Sequence, residues 1–210
     1  VYDSNRYSVL GLLSRLGCEV LDLGVVQDDP AQLKAAFEQA SAQADAIITS
    51  GGVSMGDVDF TRALMQELGD VAFWRIAMKP GRPMAMGRIG QAVWFGLPGN
   101  PVAVMVTFLA LVRPALLKLM GLRSQDIGGP PMLKARSTEA LSKKPGRTEY
   151  LRVCVTRSSD GQLQVTTTGL QGSGMLSSMV QANGLMVLDH HQGPVAVGDE
   201  VDVMMFEGVM

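Results

Sequence analysis

The sequence predicts an α/β domain on a doubly wound, mostly parallel sheet, followed by a small all-β, barrel-like domain. Three observations carry this. Helix-period segments alternate with short apolar runs as far as residue 120, the pattern of a sheet covered on both faces. Residues 122–131 are rich in Gly, Pro and Ser. From Met132 onward only short β-rich runs remain, separated by turn residues. The boundary is expected at 124/125, giving domains 1–124 and 125–210.

Taken in order, Ser4 or Asn5 caps a first helix with Val9, Leu10, Leu13 and Leu16 on one side, ended by Gly17. Cys18–Val26 is β-rich and reads as a buried strand. Asp28-Asp29-Pro30 starts a second helix whose inner face is Leu33, Ala36, Phe37 and Ala40. One aspartate caps it, leaving the other for a polar ligand or metal. A strand Ala46–Ser50, a helix Phe60–Leu68, and strands at Phe73–Met78, Pro83–Gly87 and Ala92–Gly96 follow. A long helix Val102–Met120 starts at Asn100-Pro101. The β module comprises Met132–Leu141, Glu149–Arg157, Gln162–Thr168, Gly184–Leu188 and Glu200–Phe206, with a Ser159-Asp160-Gly161 hairpin turn.

A sheet that opens with a helix lacks its first strand. We expect a strand upstream of Val1 to lie between the strands at Val20 and Ala46. A gap there would leave buried backbone groups unpaired, each at about 1–3 kcal/mol.

Composition narrows the function classes. The 210 residues are 47% apolar and 18% charged, with net charge −2. No basic face argues for nucleic acid. No apolar stretch is expected to span a bilayer, and no signal peptide opens the chain. Cys18 and Cys154 have no CxxC partner, which fits a reducing compartment, the cytoplasm. The 14 methionines are core filler.

Three loops at strand ends can carry chemistry, where open α/β sheets place their ligand crevice. In Ser50-Gly51-Gly52-Val53-Ser54-Met55-Gly56-Asp57-Val58-Asp59, glycines turn backbone N–H groups toward an anion, and Asp57 or Asp59 suits a divalent cation. A plain turn with Asp59 as a helix cap accounts for the same residues. In Lys79-Pro80-Gly81-Arg82-Pro83 a stiff loop presents Lys79 and Arg82 to an oxyanion, with Arg75 expected on the same side as Lys79. Leu97-Pro98-Gly99-Asn100-Pro101 is a rigid loop opening a helix. The only histidines, His190 and His191, sit together in the β module as surface residues, so acid–base catalysis by histidine is not expected.

The strings SGGVSMGDVD, FWRIAMKPGRP and LPGNP, in this order, resemble the molybdopterin molybdenumtransferase (MoeA) family and the related E-domain of gephyrin. YDSNRY, LGVVQDDP, PGRTEYLR and TTTGLQGSG extend the resemblance over nearly the whole chain. It implies a molybdopterin-binding α/β domain followed by a β-barrel-like domain, in a homodimer. It also implies that adenylylated molybdopterin and molybdate are substrates, that Mg²⁺ assists cleavage of the phosphoanhydride, and that AMP leaves as molybdenum is fixed on the dithiolene. Handover from a molybdopterin adenylyltransferase is a further implied partnership.

By motif position, Asp28 and Asp59 would be catalytic and hold the metal, and Lys79 would contact the oxyanion. Ser50, Gly51, Gly52, Arg75, Pro98, Gly99, Asn100, Pro101, Arg152 and Ser173 would bind substrate. The chain departs from the family at Arg75, where lysine is common. It also lacks an upstream strand ending in Thr-Gly-Asp-Glu and the N-terminal domains. Two alternatives stand beside this reading: the adenylyltransferase of the preceding step, which resembles the α/β domain alone, and a non-catalytic scaffold module like gephyrin.

Overall fold

The computed structural model describes residues 3–52, 64, 67–127 and 130–206. Asp57 and Asp59, with most of the expected helix 60–68, lie outside the described residues. The chain divides into two compact units, Val1–Ile76 with Gly81–Phe108, and Ala77–Pro80 with Leu109–Met210. By contacts the division after Phe108 falls within the long helix, upstream of the boundary expected at 124/125. The four residues 77–80 join the second unit because Met78 and Lys79 form a strand of its sheet.

In the first unit, helices α1 (Ser4–Arg15) and α2 (Pro30–Gln43) precede strands β1 (Ala46–Ser50), β2 (Gly69–Arg75), β4 (Pro83–Ile89) and β5 (Ala92–Leu97). The sheet order is β1-β5-β4-β2. The α/β layering is as expected, but the pairing is less parallel. Among the described strands of this unit only β1–β5 is a parallel pair, while β5–β4 and β4–β2 are antiparallel. The two-residue reversal Gly90-Gln91 forces β5 back along β4, with Gly90 at φ +58.

The caps follow local chemistry. Asp29 accepts the backbone N–H of Gln32 (2.9 Å) ahead of Pro30, as expected for α2. For α1 the cap is Asp3, which accepts from the N–H of Arg6, and neither Ser4 nor Asn5. Val9, Leu10, Leu13 and Leu16, the side expected inward, are half-buried, and the one buried residue of α1 is Leu12.

The predicted strand at Cys18–Val26 is not a strand. Its composition suits one, but strands exist only in pairs, and here Arg6 organises the segment instead. The Arg6 guanidinium grips the Asp22 carboxylate bidentately at 2.7–3.0 Å, and Asp22 also accepts the N–H of Gly24 (2.9 Å), whose φ is +73.

β5 is apolar on both faces, as a central strand must be. One face buries Ala92 and Trp94 with Phe37 and Ala40 of α2, Ile47 of β1, and Ala85 and Ile89 of β4. Phe37 and Trp94 meet edge to face at 5.9 Å, and Trp94 Nε1 donates to Thr49 Oγ1 at 3.1 Å. The other face buries Phe95 and Leu97.

The long helix runs as α3 (Pro101–Thr107), a π turn (Phe108–Val112) and α4 (Arg113–Leu119). Over Pro101–Leu119 its mean hydropathy reaches 2.0, so it is long and apolar enough to cross a bilayer, contrary to expectation. Arg113 and Lys118 dilute that character too little to break it. Val102, Val104, Val106, Phe108 and Val112 are fully buried, and α3 packs on α1 and β5, the arrangement of a core helix.

The second unit is a barrel. Strands β6 (Met132–Ser137), β7 (Thr148–Arg157), β8 (Leu163–Thr167), β9 (Gly184–Leu188) and β10 (Glu200–Met205) pair in the ring β7-β8-β6-β10-β9 and back to β7. Only β6–β8 is parallel within the ring, and β3 (Met78–Lys79) adds to β7 in parallel. Val153, Val165, Met186 and Val203 are fully buried in its core. Two side-chain amides extend the backbone ladder of β7. Gln171 accepts from the N–H of Arg152 and donates to its carbonyl (2.8 and 3.2 Å). Asn183 does the same at Val155 (2.7 and 2.9 Å). The short helix α5 (Ser177–Gln181) was not foreseen.

Trp94 fills the first core and holds the β1–β5 contact. Trp94→Ala is expected to destabilise that unit by about 3–5 kcal/mol, measured by urea unfolding with Trp74 as the remaining fluorescent reporter; a loss under about 1 kcal/mol would contradict this packing.

Candidate functional site

The first unit gathers one set of expected residues at the carboxyl ends of two neighbouring strands. Ser50 ends β1, Leu97 ends β5, and the two are ladder partners. Their following loops therefore leave the sheet side by side. The N–H of Gly51 donates to the Leu97 carbonyl at 3.1 Å, and Ser50 Oγ donates to the Pro98 carbonyl at 3.1 Å. Gly51 and Gly52 sit at φ +90 and +69, a region L side chains rarely enter. A Cβ on Gly99 would lie 3.9 Å from the Gly51 Cα, so the two loops touch through glycine. Asn100 precedes Pro101, the first residue of α3.

Asn5, absent from the sequence-predicted set except as a cap, belongs to this crevice. Its Nδ2 donates to Ser50 Oγ (2.8 Å) and to the Gly99 carbonyl (2.7 Å). The only signal in the sequence was a polar residue at the start of the first helix, where it was read as a cap. Asp28 is exposed beside the cap residue Asp29, as the division of labour between the two aspartates required.

The second unit holds the other set. Lys79 and Glu149 are partners in the β3–β7 ladder. Glu149 lies on the same face of β7 as Leu151 and Val153, two residues apart along the strand, and is buried with only 4% of its surface exposed. One carboxylate oxygen receives Arg147 Nε at 2.8 Å and the other meets Lys79 Nζ at 3.4 Å. Burial alone would raise the Glu149 pKa. The Arg147 hydrogen bond and the Lys79 charge outweigh it, so the carboxyl sits below its usual value. Two cations sharing one carboxylate leave a net positive charge, and the half-exposed Lys79 ammonium can meet an oxyanion.

Arg75 ends β2 opposite Pro83, whereas Lys79 belongs to the second sheet. The four-residue spacing is not one extended strand, so the expected common face for Arg75 and Lys79 does not exist. Arg82 lies in the first unit, where its carbonyl accepts the N–H of Ile76 (2.8 Å).

Arg152 points to the face of β7 opposite Leu151 and Val153, yet is 1% exposed because the 170–178 segment covers it. Its guanidinium donates to Ser178 Oγ (3.0 Å) and to the carbonyls of Gly172 (3.0 Å) and Leu170 (3.4 Å). Arg152 thus holds from within the loop that carries the half-buried Ser173. Burial lowers its pKa, the direction expected for a desolvated cation.

A strand-end crevice of glycine and proline loops, with a barrel bearing a lysine–glutamate–arginine cluster, matches two family models. Residues 1–118 match the probable molybdopterin binding domain, and residues 134–206 match the MoeA C-terminal region (domain IV). The chain belongs to the molybdopterin-binding family. Over its full length it is 42% identical to a molybdopterin molybdenumtransferase of Haemophilus influenzae, of which it covers 52%. It is 33% identical, over 87% of its length, to a gephyrin of Dictyostelium discoideum, of which it covers 28%. A solved molybdopterin biosynthesis MoeA protein from Pyrococcus horikosii matches with TM-score 0.77 and 31% identity, over 99% of this chain and 49% of that one. The chain spans about half the length of the molybdenumtransferase it matches best in identity among these.

Within this family member the barrel cluster makes two expectations. A carboxyl whose folded pKa is depressed stabilises the fold above its unfolded value, and that contribution is lost as pH falls through the folded value. The difference in thermal midpoint between wild type and Glu149→Gln should therefore shift against wild type as pH drops below the usual 4.5. A pH-independent difference would mean the pairing has no electrostatic weight. Arg152→Lys, which cannot reach three acceptors in this fork, should cost about 1–3 kcal/mol in chemical denaturation, and wild-type stability would refute the anchoring role.

Proposed function

We propose that this chain contributes to inserting molybdate into adenylylated molybdopterin, with release of AMP. The observation that carries the reading is the joining, in one chain, of a molybdopterin-binding domain and the MoeA C-terminal region. An adenylyltransferase of the preceding step would leave residues 134–206 without an account. In this reading Ser50, Gly51, Gly52 and the Pro98-Gly99-Asn100-Pro101 loop receive the pterin and molybdate. In the second unit Lys79, steered by Glu149, faces an oxyanion, and Ser173 contacts substrate from the loop anchored by Arg152; in the first unit Arg75 is a substrate-binding cation. Binding in such a site works through positioning and charge rather than through a histidine base.

Mg²⁺ belongs to the reading as an ion held by one or two carboxylates and completed by substrate phosphates and water. The exposed carboxylate of Asp28 suits that role; its expected partner Asp59 lies outside the described residues. When bound, the ion would neutralise charge on the phosphoanhydride. The working compartment is the cytoplasm, where Cys18 and Cys154 remain thiols. The working form is a homodimer, supplied by a molybdopterin adenylyltransferase.

The natural full-length protein, given adenylylated molybdopterin, Mg²⁺ and molybdate, is expected to release AMP in a molybdate-dependent manner, with Lys79→Ala slowing release by about 10²-fold or more. AMP release that ignores molybdate, or none at all, would end this reading; binding without turnover would favour a scaffold.

A further inference from the structure

We propose that Asn5 is a positioning residue for the substrate crevice, one that sets the spacing of its two loops and the direction of the Ser50 hydroxyl. The inference rests on the function proposed above. Both N–H bonds of the Asn5 amide are in use, one on Ser50 Oγ (2.8 Å) and one on the Gly99 carbonyl (2.7 Å). These partners stand 45 and 94 residues further along the chain, at the ends of β1 and β5. Because the amide fills a lone pair of Ser50 Oγ, the single hydroxyl proton of Ser50 is directed to the Pro98 carbonyl. One side chain thereby ties α1, the Gly51-Gly52 turn and the Pro98-Gly99 turn into a single arrangement.

The remaining atom of the amide shows what this arrangement requires. Asn5 Oδ1 is buried and has no hydrogen-bond partner among the described residues. Such an orphaned acceptor is unfavourable, and turning the amide over would not help, since it would press Oδ1 against the Gly99 carbonyl oxygen. Nor is Asn5 needed to begin the helix, because Asp3 supplies the cap. Asparagine is also a poor helix former. What asparagine alone offers is a short, two-pronged donor that bridges a hydroxyl and a carbonyl.

The test compares Asn5→Ala and Asn5→Asp in the natural full-length protein. Molybdate-dependent AMP release is measured from pH 5 to 8 as kcat and KM for adenylylated molybdopterin, alongside thermal midpoints. Asn5→Ala should lower kcat/KM by roughly ten- to a hundredfold at all pH values. Asn5→Asp should be equally impaired at neutral pH, where its carboxylate repels the Gly99 carbonyl. It should recover toward wild type on acidification, as the protonated carboxyl regains a donor. Wild-type kinetics in both variants would overturn the inference, as would losses that only track the thermal midpoint with no acid recovery.

A second measurement does not depend on turnover. Amide hydrogen exchange in peptides covering 50–52 and 99–103 should rise in Asn5→Ala while β7 is unchanged, and unaltered exchange there would also overturn it. If wild type itself releases no AMP, the functional reading fails, and the exchange data still decide whether Asn5 fixes the loops.

Discussion

The parallel ladder between β1 and β5 is the constraint on which the first unit depends. Its register makes Ser50 the partner of Leu97, and every loop residue of the crevice is placed by that fact. A slip of one residue would turn each β5 side chain to the other face, exchanging Trp94 with the smaller space that holds Phe95 and breaking the Ser50–Leu97 pairing. Trp94 guards against the slip. It stands opposite Ile47 in the ladder and reaches two residues along β1 to hydrogen-bond Thr49. An apolar ring and one N–H together fix the register that apolar matching alone leaves loose. The crevice inherits its geometry from a contact in the core.

In the barrel, β7 has the corresponding role. It pairs with β3, β8 and β9 along its ten residues. Where it runs past a neighbour, the amides of Gln171 and Asn183 stand in for a strand. The alternation of β7 separates two tasks. Leu151 and Val153 face the core with Glu149 at the end of their row, while Arg152 faces away and gathers the carbonyls of the 170–172 loop. A buried carboxylate and a buried guanidinium thus sit three residues apart without pairing, each satisfied by different partners.

Much of this was legible in the sequence. Short β-rich runs between turn residues placed all five ring strands to within a few residues, because a barrel strand favours such residues and its turns need Gly, Pro or Asp. Strand-end glycines and prolines likewise marked the Ser50 and Pro98 loops. The Cys18–Val26 segment was misread because apolar, β-branched text specifies a preference for pairing but not the existence of a partner. Arg75 and Lys79 were misjudged because a chain can change sheets within two residues, a switch that leaves no periodic trace. Asn5 escaped as more than a cap because its partners lie far along the chain; Arg152 was expected at the substrate, and its burial was not, because it comes from a loop whose path no local pattern encodes.

The chain passes from one unit to the other three times, since residues 77–80 lie in the second unit while the segments on either side lie in the first. Recombination by a single crossover therefore cannot exchange the barrel intact. Any junction placed after Phe108 transfers five ring strands but leaves behind β3, and with it Lys79, the cation that Glu149 holds. A barrel moved without residues 77–80 would keep the buried Glu149 carboxylate with Arg147 as its cation and lose Lys79.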